Sequence, residues 1–212
     1  MINILLVDDH DLVRTGIRKI LDDESGLKVI DEVESGEAAI KFCKKTEPDI
    51  ILMDIDMPGI GGLEATKKIC KICPDTKIVM LTAQSDEIYP AKVMKLGAAG
   101  FLTKGTPVRE MVNAIRAVHC GQRYLSPEIA KKLASEKTQS ENPFSGLSER
   151  ELQIMFMITR GEKVTDISGV LNLSSKTVNS YRYRMFEKLN ISNDVELTHL
   201  ALQHGIIETK KL

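Results

Sequence analysis

Four short apolar runs, at residues 4–7, 50–53, 78–81 and 100–102, are each of buried-strand length and are separated by stretches of helical periodicity. Amphipathic helices fit residues 11–21, 37–45, 63–72, 87–96 and 107–118, the last with Pro107 in its first turn. Five strands alternating with five helices describe a doubly wound α/β domain with a five-stranded parallel sheet. In such a sheet all strand ends face one edge, and ligands bind beyond the carboxyl ends of the strands.

What stands at those ends is chemically specific. Asp8 and Asp9 follow the first run, Asp54 the second, Thr82 the third, and Lys104 closes the fourth within two residues. Three carboxylates brought within a few ångströms repel one another, and their pKa values rise unless a divalent cation offsets the charge. All-oxygen ligation suits Mg²⁺, which keeps some of its waters. Asp54 is then a candidate nucleophile, whose attack on phosphorus gives an acyl phosphate. Lys104 would offset charge on the phosphoryl oxygens and Thr82 would hydrogen-bond one of them. The bland alternative, acids that merely cap the following helices, holds well for any one of these residues and poorly for all five together.

The rest of the chain excludes several classes. Its 212 residues suit two domains, and a composition of 42% hydrophobic and 28% charged residues is ordinary for a soluble protein. No apolar stretch is long enough to span a bilayer and no leader precedes the first strand, so a cytoplasmic location without membrane association is expected. Four cysteines do not make a disulfide framework. Cys70 and Cys73 form a C-x-x-C, which reads as two residues of one helix before Pro74, since a zinc site needs further partners. His10 reads as a packing or helix-capping residue, because imidazole is a poor partner for Mg²⁺. Pro58, Gly59, Gly61 and Gly62 lack the spacing of a phosphate-cradling loop and read as tight turns after Asp54.

Beyond residue 121 the pattern turns purely helical. Residues 122–146 read as a linker with a short helix at 129–133 and breakers at Asn142, Pro143 and Gly146. From residue 147 four short helices follow, giving an all-α domain over 147–212. Ser148 with Glu151 is a capping box, and Leu152, Met155, Phe156 and Ile158 form the inward face of a helix ended by Gly161. Residues 164–171 form the second, and Ser174 caps the third, with Val178, Met185, Phe186 and Leu189 inward. Asn193 and Asp194 open the fourth, which Gly205 stops. Two helices joined by Asn172-Leu173-Ser174 describe a helix-turn-helix, whose second helix lies in the major groove. Net charge is only −1, yet Lys176, Arg182, Arg184 and Lys188 gather on that second helix.

On these residues the first 121 positions resemble the receiver domain of two-component response regulators, a flavodoxin/CheY-like fold. The carrying segments are VDDH with Asp8 and Asp9, LMDIDMPGIGG with Asp54, Leu81-Thr82-Ala83 and Phe101-Leu102-Thr103-Lys104. The resemblance implies that Asp54 is the phosphoacceptor. It further implies that Asp9, Asp54 and the backbone carbonyl of Asp56 bind Mg²⁺ directly, that Asp8 binds through water, and that Thr82 and Phe101 form a switch pair. Phosphorylation would draw Thr82 and Lys104 inward, with Phe101 following, and the face of residues 87–118 would be bistable. Asp56 and Gln84 stand where receivers tune the phosphoryl lifetime. Many receivers place a proline after the lysine; here Gly105 follows, and a trans peptide is expected.

LSERE at 147–151, Gly161, Asp166-Ile167 and LSSKTVNSYRYRMFEKLNI at 173–191 resemble the LuxR/NarL type of DNA-binding domain. Together the halves resemble the NarL/FixJ class, and the run KTVNSYRYRMFEKLNI is especially similar to the GacA/UvrY/LetA group. This implies a transcription regulator that is not an enzyme apart from its own phosphorylation and slow dephosphorylation. The implied partners are a hybrid sensor histidine kinase, promoter DNA, and a second copy of the chain when phosphorylated. Lys176, Thr177, Asn179, Ser180, Tyr181 and Tyr183 would meet the DNA groove, with Arg184 and Lys188 near phosphates. Arg182 departs from the family's usual aliphatic residue, and its stem is expected to pack while its head snorkels outward. Two other readings stay open: a phosphatase of the HAD type, suggested by Asp54-Ile55-Asp56 but with its acidic pair on the wrong side of the nucleophile, and a receiver joined to a protein-binding helical domain.

Overall fold

The computed structural model describes residues 1–82, 93–127, 129–130, 143–204 and 206–207. Ala83, Gln84, the first part of the helix expected at 87–96, positions 131–133 of the linker helix, and Gly205 lie outside them. The chain divides into two compact units.

The first unit runs β1 (Ile2–Val7), α1 (Asp11–Asp22), β2 (Leu27–Val33), α2 (Gly36–Cys43), β3 (Ile50–Asp54), α3 (Gly61–Ile72), β4 (Lys77–Thr82), β5 (Gly100–Thr103), α4 (Val108–His119) and β6 (Tyr124–Leu125). The strands form one parallel sheet in the order β2-β1-β3-β4-β5-β6. Side chains of successive strand residues point to opposite faces. Ile4, Leu6, Ile50, Leu52, Val79, Leu81 and Leu102 pack with Ile17 and Leu21 of α1 and Met111, Ile115 and Val118 of α4. The alternate positions Leu5, Val7, Ile51, Met53, Ile78, Met80 and Phe101 are equally buried, and Thr66 of α3 meets the Met80 sulfur on that side. Coverage of both faces is why the strands read as unbroken apolar runs.

Among the described residues the sheet has six strands rather than the expected five. β6 pairs Tyr124 with Gly100 and Leu125 with Phe101, inside the stretch that reads from sequence as linker. Two residues carry no periodicity, so the pairing is invisible in the chain. Pro107 is the N-cap of α4 rather than its first helical residue. Among the described residues no peptide bond is cis, so Lys104–Gly105 is trans.

The second unit opens with a 3₁₀ turn (Pro143–Gly146), followed by α5 (Glu149–Thr159), α6 (Val164–Leu171), α7 (Ser175–Leu189) and α8 (Asp194–Gln203). The capping box is complete, since Ser148 Oγ accepts from Glu151 N and the Glu151 carboxylate accepts from Ser148 N. Ser174 caps α7 through Thr177 N, and Asn193 caps α8 through Glu196 N. Asn172 and Asn190 end α6 and α7 in the left-handed region, at φ 55° and 53°, which asparagine tolerates better than most residues. Ile154 and Met157 are buried along with the expected apolar face of α5.

Candidate functional site

In the sheet order, β1 lies between β2 and β3, so successive crossovers leave it in opposite directions. That switch point opens a crevice at the carboxyl ends of β1 and β3. Asp8 and Asp9 follow β1, Asp54 ends β3, Thr82 ends β4, and Lys104 follows β5. Asp8 and Asp54 are fully buried and Thr82 is 8% exposed. The Lys104 ammonium lies 2.8 Å from Asp8 Oδ2 and 2.9 Å from Asp54 Oδ2. Lys104 is held in place by its own N–H, which donates to the Thr82 carbonyl at 2.6 Å. Asp54 Oδ1 accepts from Asp56 N at 3.2 Å, the first contact of the loop that leaves the strand.

One ammonium does not balance three carboxylates. Burial pushes the Asp54 carboxyl up to about 6, with Asp8 adding to the rise and Lys104 opposing it. Burial also works against the charge on Lys104, but Asp54 and Asp8 outweigh it and hold its pKa above the ordinary value. Asp8 Oδ2 and Asp9 Oδ1 are buried oxygens, the first 2.8 Å from the Lys104 ammonium and the second 2.9 Å from His10 Nδ1. Candidate ligand atoms of Asp8, Asp9, His10 and Asp54 all fall within 4.8 Å of one another. Closely spaced carboxylate oxygens that one ammonium does not balance fit a hard divalent cation.

His10 behaves otherwise than expected. It occupies the N-cap position of α1 but makes no side-chain cap; its Nδ1 lies 2.9 Å from Asp9 Oδ1 and 3.3 Å from Asp8 Oδ1. The glycines after Asp54 do serve as turns, Gly59 and Gly61 having φ of +74° and +67°. A Cβ on Gly62 would collide with the Asp54 carbonyl, so the loop can pass beneath the acid only with glycine there. Glu37 of α2 is a residue the sequence did not single out. Its carboxylate accepts from Ile60 N at 3.0 Å and ties down the loop that carries Asp56. No local signal marks it, because its partner is 23 positions away. Phe101 is fully buried on β5, opposite Met80 of β4.

Cys70 and Cys73 are positioned by backbone carbonyls of other segments. Cys73 donates to the Cys43 carbonyl at 3.2 Å, Cys70 lies against the Gly97 carbonyl, and burial raises the thiol pKa of Cys43 to about 12.

On α7 the structure separates residues that look alike in sequence. Lys176, Ser180, Tyr183 and Arg184 are exposed, while Thr177, Asn179 and Tyr181 are half-buried. The Arg184 guanidinium stacks 4.6 Å from the Tyr181 ring centre. Lys188 has a different occupation: its ammonium donates to Glu151 Oε2 at 2.6 Å and to the Gly146 carbonyl at 3.2 Å. Burial opposes ionisation of Glu151, but Lys188 and Ser148 overcome it and lower its pKa. Arg182 does not send its head into solvent. The guanidinium binds Asp194 of α8 with two nitrogens, at 2.7 and 2.5 Å, and covers the Phe186 ring.

Residues 4–116 match the family described as response regulator receiver domain, and residues 145–201 match bacterial regulatory proteins, luxR family. Response regulator UvrY of Escherichia coli is 58% identical over 100% of this chain and 99% of its own. Response regulator GacA of Pseudomonas aeruginosa is 52% identical, covering 98% and 99%. Among solved structures, RcsB from Salmonella enterica serovar Typhimurium, bound to promoter P1flhDC in the presence of phosphomimetic BeF3−, matches with a TM-score of 0.78 and 26% identity over 94% of this chain and 97% of that one.

Proposed function

The chain belongs to the response regulators that join a receiver domain to a LuxR-type DNA-binding domain, and from that premise we propose that Asp54 accepts the phosphoryl group that controls its DNA binding. It regulates transcription and is not an enzyme in the main sense. This membership sets aside both the phosphatase and the protein-binding readings. The observation that carries the assignment is the buried Asp54 carboxylate, held by Lys104 in a cluster where one ammonium serves both Asp54 and Asp8.

A carboxylate oxygen of Asp54 forms the new bond to phosphorus while the bond to the donor, a histidine nitrogen of a sensor kinase, breaks. Bound Mg²⁺ would supply positive charge to the carboxylates and to the phosphoryl oxygens. Asp9, Asp54 and the Asp56 carbonyl would hold it, with Asp8 acting through water. Lys104 then exchanges its contact with Asp54 for the added phosphoryl oxygens. Thr82 turns to hydrogen-bond another, and Phe101 follows into the space that Thr82 leaves. The added charge of roughly −1.5 to −2 drives this rearrangement.

The proposed division is a receiver carried on through β6 to residue 125, a linker, and a DNA-binding domain from 147. Lys176, Thr177, Asn179, Ser180, Tyr181 and Tyr183 would face the groove and Arg184 a phosphate, while Lys188 serves as a strut beneath α7. The implied assembly is a homodimer of the phosphorylated chain on promoter DNA in the cytoplasm, with a hybrid kinase upstream. None of the described helices is long and apolar enough to cross a membrane. The test is direct. A small phosphodonor with Mg²⁺ should add one acid-labile phosphate to the wild-type chain and none to Asp54→Asn, and unchanged labelling of the variant would refute the assignment.

A further inference from the structure

Arg182 is the most heavily engaged cation on α7. Nε and Nη2 bind Asp194 Oδ1 and Oδ2 at 2.7 and 2.5 Å, and the guanidinium lies 5.5 Å from the Phe186 ring centre. Two parallel bonds to one carboxylate set the plane of the fork. The third nitrogen, Nη1, then reaches Asn179 Oδ1 at 3.4 Å, one turn back along the helix. Arginine has donors only, so the amide atom that faces it must be oxygen. Asn179 is therefore held with its oxygen toward Arg182 and its NH₂ turned away.

That orientation bears on how DNA is read. Asn179 is in the N-terminal part of α7, the region of such a helix that meets base edges. An unconstrained asparagine reads adenine with both amide groups: the oxygen accepts from N6 and the NH₂ donates to N7. An asparagine whose oxygen is engaged by a guanidinium presents mainly a donor, and the adjoining positive charge reinforces that bias. Guanine offers only acceptors in the major groove that an NH₂ can use, N7 and O6, and thymine offers O4, whereas adenine offers N7 beside an N6 donor that needs the amide oxygen for the second bond. We propose that Arg182, fixed by Asp194, sets the base preference of Asn179, so that guanine or thymine is favoured and adenine disfavoured where Asn179 meets the groove. The inference rests on the DNA-binding reading of α7 and adds to it a positioning residue on that helix and an anchor on α8.

The experiment is selection of the full-length protein on a random-sequence DNA library, with sequencing of the bound fraction. Asn179→Ala should flatten the profile at one base pair per half-site and so identify the position. Arg182→Lys and Asp194→Asn should each raise adenine there about tenfold, the scale of one good base contact, with other positions unchanged. In the Asn179→Ala background, Arg182→Lys should give no adenine gain, because the effect passes through that amide. If Arg182→Lys does not fold, Asp194→Asn carries the test alone. A profile that Asn179→Ala leaves untouched overturns the proposal. So does an unchanged profile in both Arg182→Lys and Asp194→Asn, or an adenine gain that persists without Asn179. Failure of the wild-type chain to select any DNA would overturn the underlying reading of α7 as well, and is distinct from these outcomes.

Discussion

Asp54 in the first unit and Glu151 in the second are both buried carboxylates that touch a lysine, yet their acidities move in opposite directions. Asp54 shares the Lys104 ammonium with Asp8 and has Asp9 close by, so burial prevails and its pKa rises to about 6. Glu151 is 2% exposed but has Lys188 and both donors of Ser148, and these lower its pKa despite burial. The difference is one of charge balance. The receiver pocket is left with more negative charge than its own residues neutralise, which suits the proposed cation. The second site is balanced within the chain and serves structure.

The largest effect that would break this comparison is on signalling. Lys104→Ala and Thr82→Ala should retain at least part of the phosphorylation from a small donor but lose the phosphorylation-dependent gain in promoter affinity, read by gel shift with and without donor. Full coupling in both variants would remove them from the switch.

Next come two stability effects of opposite sign. Without metal, ionised Asp54 opposes folding: its folded pKa is about 6, above the unfolded 3.8, so the penalty is absent below the unfolded value and complete above the folded one. Asp54→Asn should therefore stabilise the metal-free receiver by about 2 kcal/mol at pH 7, with the gain fading toward pH 4. Urea melts across that range are the measurement, and a gain that grows on acidification would contradict the charge argument. Glu151 should show the reverse. Its stabilising contribution is present above the unfolded carboxylate pKa and is lost as pH falls through the lowered folded value. Lys188→Ala should destabilise the second unit by about 2 kcal/mol, discounted from a fully buried pair because the lysine is partly exposed.

The smallest effect separates strut from contact. Arg184→Ala should weaken binding to all sequences and lower the salt slope of log K by about 1, whereas Lys188→Ala should leave that slope unchanged once folding is allowed for. An equal loss of slope in both variants would return Lys188 to the DNA interface.

The sequence alone determined which residues end the strands and which open the helices. Apolar runs, capping residues and turn asparagines act over a few positions, so β1, β3, β4 and β5, the Ser148 and Ser174 caps, and the convergence of Asp8, Asp9, Asp54, Thr82 and Lys104 were legible before any coordinate. Only the tertiary structure decided the pairings that join distant segments. β6 forms because β5 offers it an open edge, not because Tyr124 and Leu125 show a pattern. Glu37 reaches Ile60, Lys188 reaches Glu151, and Arg182 reaches Asp194 and through its third nitrogen Asn179, across separations that periodicity does not record. A long flexible cation reads in sequence only as surface charge. Whether it meets solvent, nucleic acid or a buried carboxylate depends on which oxygen the fold brings within its reach, and that placement exists only once the helices have packed.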